Sequence, residues 1–297
     1  MAKANKIKNN ISVMQVIMFI VLLVYAVSLL VPVFWTIITA IKPVNEYEIF
    51  ENKLGFPQEI TFTNFITAYQ NFYVERFINN TRVFYFMPAM FLNSLIYTIG
   101  CAAMATLTPC ITAYVAARYK YKFGNFLYMF VVFVMALPIV GSMPATIRMT
   151  EMLGIYDTYI GSFIMKGNFL GVYFLVFYAQ FKMLPKDYTE AARIDGASNF
   201  KVMVQVIMPL AVSTIGTVFL LYVIQFWNDY QTPMVYLPSY PTVAFGMFDF
   251  QRSSADAISN WPTKLAGSIL MALPIIVVYV VFNKKLTMNV SIGGIKG

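Results

Sequence analysis

The chain contains no histidine, only two cysteines and very little charge. Each absence removes a class of function. Without histidine there is no Ser-His-Asp triad, no histidine-ligated metal and no imidazole general base. Cys101 and Cys110 both stand in an apolar stretch, too few for a disulfide framework or a zinc site, and packing accounts for them. Charged residues make up 11% of the 297 residues, against roughly 25% in an ordinary soluble domain. Such a chain cannot build a water-soluble surface. What it has in abundance is apolar: 59% hydrophobic residues and a mean hydropathy of +0.67. The solvent it requires is a bilayer.

Six stretches lack Asp, Glu, Lys and Arg: 11–41, 87–117, 123–147, 167–181, 210–228 and 265–283. About 20 apolar residues cross the hydrocarbon core as a helix. The first stretch is far longer than a signal-peptide core and has no small-residue cleavage site after it, so it reads as a retained span. The fourth is short and begins at Lys166-Gly167-Asn168. It reads either as a broken helix over 159–181, of the kind that lines a transport path, or as an ordinary helix with Lys166 reaching the outer interface.

The net charge of +8 has a topological explanation. The N-terminal tail, the link 118–122, the loop 182–209 and the C-terminal tail together hold 13 basic and 3 acidic residues. The alternate segments, 42–86, 148–166 and 229–264, hold 8 basic and 10 acidic. By the positive-inside rule both termini are expected in the cytoplasm, and no nucleic-acid partner is needed to explain the charge. The predicted fold is an all-α membrane protein of six transmembrane helices. Its expected organisation is a tail over 1–10, a transmembrane domain over 11–283 and a second cytoplasmic tail over 284–297.

The loop 184–209 carries the most specific pattern. Asp187 and Glu190 have the spacing of a helix N-cap with a reciprocal carboxylate. Glu190-Ala191-Ala192-Arg193 favours helix, Gly196 suits a left-handed helix end, and Ser198 can cap a second helix running to Pro209. Ala191 and Ala192 leave a slim side for another protein, flanked by the charges of Glu190, Arg193 and Asp195. A solvated connector is the plainer reading of the same residues.

The segment resembles the EAA motif of bacterial ABC importer permeases: EAA, three residues, G, nine residues, then I-x-L-P. Glu190-Ala191-Ala192, Gly196 and Pro209 match in register, while Val206 and Met208 are conservative departures. Asp195-Gly196-Ala197, Trp227-Asn228-Asp229-Tyr230 and the ending Ile292-Gly293-Gly294-Ile295-Lys296-Gly297 are similar to the carbohydrate, maltose-type branch. The resemblance is strong within 184–209 and weaker over the rest of the chain.

What it implies is a permease of the inner membrane of a bacterium that imports a sugar or oligosaccharide. The loop would be a coupling helix seated on a separate ATP-hydrolysing subunit, present in two copies. This chain has no G-x-x-x-x-G-K-[ST] sequence, so ATP and Mg would belong to that subunit. Expected partners are a second, distinct permease and an extracytoplasmic solute-binding protein. Coupling would rest on Glu190, Ala191, Ala192, Arg193, Asp195, which could hold the turn through its side chain, and Gly196, with the tail 292–297 a lesser contact.

Gln225, Trp227, Asn228 and Asp229 near the outer end of the fifth span, with Asn93 and Tyr97 in the second, are candidates for the substrate path. Aromatic faces and amides or carboxylates suit sugar hydroxyls. Trp227 and Tyr230 equally suit an interface belt, and Asn93 a bridge between helices. The loop 229–264 would face the binding protein or the partner permease. The rival classes are a permease for a non-sugar solute and a secondary transporter. The second is disfavoured because no ionisable group falls in the six stretches.

Overall fold

The computed structural model describes residues 12–48, 52–78, 80–119, 122–137 and 141–290. The basic N-terminal tail, Lys120 and the terminal segment 292–297 lie outside the described residues. By contacts the chain forms two compact units. One takes in the described residues up to Asn71 together with Ser253–Leu270; the other takes in Phe72–Arg252 and the chain from Met271.

The first unit opens with α1 (Val13–Ala40), whose apolar side chains are almost all exposed along its length. Its C-terminal end is tied down where the chain turns. Lys42 is buried and donates to the carbonyls of Asn52 (2.6 Å) and Gly55 (2.8 Å). The Asn64 amide donates to the carbonyls of Ala40 and Lys42. Glu46, in α2 (Val44–Glu48), accepts from the Asn52 amide and the Gln58 backbone. The Asn64 bonds satisfy carbonyls that the end of α1 leaves open, while Lys42 and Glu46 tie the following loop to the turn. Asn64 belongs to α3 (Thr63–Asn71).

The second unit begins with a feature the all-α expectation missed. Residues 73–86 form an antiparallel hairpin, β1 (Tyr73–Ile78) and β2 (Thr81–Phe86). The Tyr-Val-Glu-Arg-Phe-Ile run and its Thr-Arg-Val-Phe-Tyr-Phe partner are rich in β-branched and aromatic residues, which suit a pleated surface. Asn80, at φ +61, sits in the turn.

Phe86 is the N-cap of α4 (Met87–Arg118), with Pro88 in its first turn, where a missing N–H costs least. This 32-residue helix is the axis of the unit. Its small residues Ala102, Ala105 and Ala113 let neighbours approach closely. Cys110, Ala113 and Tyr114 pack against Phe174, Phe177 and Phe181, while Tyr97, Cys101 and Ala105 pack against Phe226. Both thiols are free and buried in these clusters.

The next helices are α5 (Lys122–Met135), α6 (Met143–Met152), α7 (Tyr159–Lys166) and α8 (Val172–Met183). The fourth stretch is thus a broken helix, interrupted between Lys166 and Gly171. After it come α9 (Asp187–Ile194), α10 (Asn199–Val202), a π-helical turn at Met203–Ile207 and α11 (Met208–Leu210). A 76° bend at Ala211 leads into α12 (Val212–Trp227). Helices α13 (Gln231–Tyr236), α14 (Val243–Arg252) and α15 (Trp261–Val290) are the last elements of the described residues.

Among the described residues, three helices are each long and apolar enough to cross a membrane: Val13–Ala40, Met87–Arg118 and Trp261–Val281. The bent pair around Ala211 makes a fourth if it counts as one span. The third and fourth expected spans are built from shorter pieces: Gly141, at φ +80, precedes α6, and α7 stops at Lys166 before Gly167 and Gly171.

Helix α14 lies tightly on α4. A Cβ on Gly246 would stand 2.6 Å from the Met90 sulfur and 2.9 Å from the Phe72 ring. Gly246→Val is therefore expected to lower stability by about 1–3 kcal/mol. Thermal melting of the purified protein measures it, and an unchanged melting temperature would mean that Met90 and Phe72 give way freely.

Candidate functional site

Two places in the second unit concentrate the polar chemistry: the segment 184–209, and a cluster around Asp229.

The segment 184–209 is a helix, a turn and a second helix, as its residues suggest. Its cap differs from the expected one. Lys186 is the N-cap and makes no side-chain cap bond; Asp187 and Glu190 instead occupy the first turn, where their charge complements the helix dipole. Gly196 adopts φ +79. The backbone N–H groups of Gly196 and Ala197 donate to the carbonyls of Arg193 (3.0 Å) and Ala192 (2.9 Å), the paired bonds of a Schellman end. Asp195 lends no side-chain bond to this turn among the described residues. Its place is taken by Arg193, which donates to the Asn199 side chain (3.0 Å). Ser198 caps α10 by accepting from the Lys201 backbone.

Arg118 holds the segment to the rest of the unit. Its guanidinium donates to the carbonyls of Leu184 (3.0 Å) and Pro185 (3.1 Å). Ala192 and Ala197 pack inward against the α4–α8 cluster. Glu190 and Ala191 face outward. So do two large apolar side chains that a reading of the charges passed over: Ile194 is 86% exposed and Phe200 71% exposed. Their signal was legible as apolar residues flanking a charged turn.

The second place joins three elements. The Asp229 carboxylate accepts from the Tyr97 hydroxyl (2.9 Å) on α4 and from the Lys166 ammonium (3.3 Å) at the end of α7. Its other oxygen accepts from the Thr232 backbone (3.0 Å). Lys166 also donates to the Thr232 hydroxyl (3.0 Å) and stands 5.0 Å from the centre of the Phe226 ring. The ion pair is mostly enclosed, with side chains 24% and 17% exposed. Lys166 is therefore turned toward Asp229 and Thr232, an ion pair between segments that its sequence position alone does not reveal. Burial alone would raise the Asp229 carboxyl, but Lys166 and the bonds from Thr232 and Tyr97 outweigh it and hold it below the ordinary range.

The other candidates for the path divide. Asn93 donates to the Pro241 carbonyl and accepts from the Tyr159 hydroxyl (2.8 Å), so it bridges segments. Trp227 is buried and lines a cavity of about 420 Å³ with Phe91, Leu92, Leu95, Val223, Pro274 and Ile275, on an entirely apolar side. Gln225 and Asn228 are exposed, and Asn228 spends its amide on the Ile224 carbonyl. Among these candidates, Tyr97 and Asp229 are joined by a hydrogen bond. No group of His, Cys, Asp and Glu suited to a metal ion occurs among the described residues.

Residues 106–287, which include the segment 184–209 and, of the second place, Lys166, Phe226, Asp229 and Thr232 but not Tyr97, match the family described as binding-protein-dependent transport system inner membrane component. The chain belongs to this family. As a member it is similar over nearly its whole length to the arabinooligosaccharides transport system permease protein AraQ of Bacillus subtilis, at 23% identity over 96% of this chain and 97% of that protein. It is 25% identical to the melibiose/raffinose/stachyose import permease protein MelC of the same organism, over 90% of this chain and 91% of that one. Its fold is that of a chain in the crystal structure of a bacterial ABC transporter involved in import of the acidic polysaccharide alginate. The TM-score is 0.72 at 19% identity, covering 92% of this chain and 96% of the other.

The Asp229 cluster sets a stability expectation for this transport component. Asp229→Leu leaves Lys166 enclosed without its carboxylate and is expected to cost about 3 kcal/mol, while Lys166→Met with Asp229→Leu recovers part of the loss. The sign with pH follows from the lowered native pKa. The contribution is present above the ordinary aspartate value of about 3.9 and is lost as pH falls through the lower native value. Thermal melting of the single and double variants between pH 3 and 7, a range set around that ordinary value of about 3.9, checks both expectations. A single variant as stable as the parent would contradict them.

Proposed function

We propose that this chain is the permease subunit of an ATP-driven, binding-protein-dependent importer, and that it forms half of the path for a sugar or oligosaccharide. The carrying observation is the segment 184–209: a turn locked by Gly196, Arg193 and Arg118 that presents Glu190, Ala191, Ile194 and Phe200 outward. Exposed apolar side chains around a rigid charged turn suit docking into a protein groove. A separate ATPase, two copies per complex, supplies that groove and binds ATP and Mg. Its closure pushes on α9 and α10, and the push reaches α12 through the bend at Ala211. Nucleotide state and gate state are then linked by a coupling free energy.

The same reading gives six crossings of a bacterial inner membrane with both termini in the cytoplasm. The transmembrane domain covers 11–283. A second, distinct permease completes the path, and an extracytoplasmic binding protein delivers the solute. A sugar is favoured because the similar proteins are named for arabino-oligosaccharides, for melibiose, raffinose and stachyose, and for diacetylchitobiose. Near the path Tyr97, Lys166 and Asp229 form an internally neutralised cluster, which suits an uncharged, hydroxylated solute.

Gly196 tests the coupling role. Its φ of +79 is closed to proline, and open space around it leaves backbone strain as the cost of any side chain. Gly196→Pro is expected to abolish ATP-dependent uptake in proteoliposomes of the reconstituted complex. Gly196→Ala, at about 1–2 kcal/mol of local strain, is expected to weaken it. Uptake by Gly196→Pro at the parental rate would overturn the proposal.

A further inference from the structure

The hairpin of β1 and β2 has two faces of different character, and its register assigns every side chain to one of them. Tyr73 pairs with Phe86, Glu75 with Phe84 and Phe77 with Arg82. Those six share one face. Val74, Arg76 and Tyr85 share the other.

The inner face is packed. Val74 is buried, and the Arg76 guanidinium lies 4.3 Å from the centre of the Phe245 ring on α14. The depth of that contact is set by α14. Val243 donates its backbone N–H to the Ser94 hydroxyl of α4 (2.7 Å), and Gly246 lies against Met90. Phe245 therefore stands beside the second turn of α4. The middle of β1 reaches that level too, so the hairpin folds back alongside the start of α4 instead of projecting away from it.

The outer face carries Tyr73, Phe77, Phe84 and Phe86, all exposed, with Tyr73 edge-on to Phe84 at 5.6 Å. The two charges on this face neutralise each other, Arg82 to Glu75 at 3.4 Å. Four aromatic rings in water are costly, and a two-stranded hairpin has little stability of its own to offset that. The rings stand at the level where α4 enters the bilayer. From Met87 to Ala117 the helix has no charge, and 31 residues at 1.5 Å each reach roughly 46 Å, the full bilayer with its headgroup layers. Its first turns thus lie among headgroups. Among the described residues no third strand joins the hairpin, and open sheet edges are forbidden by hydrocarbon but permitted by a hydrated headgroup layer.

We propose that the outer face of this hairpin is a lipid-binding surface, lying on the headgroup layer with Tyr73, Phe77, Phe84 and Phe86 inserted toward the acyl chains. The occupant is the bilayer that α4 already spans. The hairpin would then fix the height of α4 in the membrane.

Spin labels at Phe84→Cys and, separately, Phe77→Cys test it, since Cys101 and Cys110 are buried from the reagent. The labelled protein, with the subunits that co-purify, is placed in nanodiscs of phosphatidylethanolamine and phosphatidylglycerol. Relaxation by oxygen, which concentrates in lipid, is compared with relaxation by a water-soluble nickel chelate. The expected result is that oxygen relaxes both labels more than nickel does. Stronger relaxation by nickel would place the face in water. Protection from both would mean that a protein covers it. Either result overturns the proposal. Agreement between the two sites guards against one misfolded variant.

Discussion

A charge enclosed within a membrane protein must be paired, and the Lys166–Asp229 contact is the arrangement this chain has reached. Isolated, either group would cost several kcal/mol in a low-dielectric interior. Together they draw α4, the end of α7 and the turn after α12 to one point. The break in the fourth stretch follows from this. Helix α7 stops where its lysine meets the carboxylate, at the helix end that favours a cation. The chain then needs Gly167 to Gly171 before it can resume as α8.

The same frame gives the segment 184–209 its footing. α4 carries Tyr97 in its third turn and Arg118 at its C-terminal end, so one helix contacts both the ion pair and the carbonyls of Leu184 and Pro185. Small residues on α4 admit α8 and α12 at close range. A displacement applied at α9 is therefore received by packed side chains and by the bend at Ala211, with no slack loop between.

Much of this was legible in the residues. The apolar stretches mark α1, α4 and α15, and the glycine and serine at 196 and 198 mark a helix end and a helix start that form as expected. Tyr97 and Asp229 were legible as polar groups at the edges of spans. What the residues hid was partnership. Lys166 reads alone as a snorkelling lysine, because its carboxylate lies 63 positions away and outside any span. Asp195 reads as the holder of the turn, yet backbone bonds and Arg193 hold it. The hairpin stayed hidden because Tyr73 to Phe86 does not alternate apolar with polar residues; its only signal is the density of β-branched and aromatic side chains. Ile194 and Phe200 were passed over because charges define the motif around them.

The central claim is that the turn at Gly196 seats on a separate ATPase. The most direct measurement is to purify the tagged protein gently from its native membrane and to identify its companions by mass spectrometry. The account requires an ATP-hydrolysing subunit, a second multi-span permease and a solute-binding protein. A chain that emerges alone, or only with copies of itself, would contradict it.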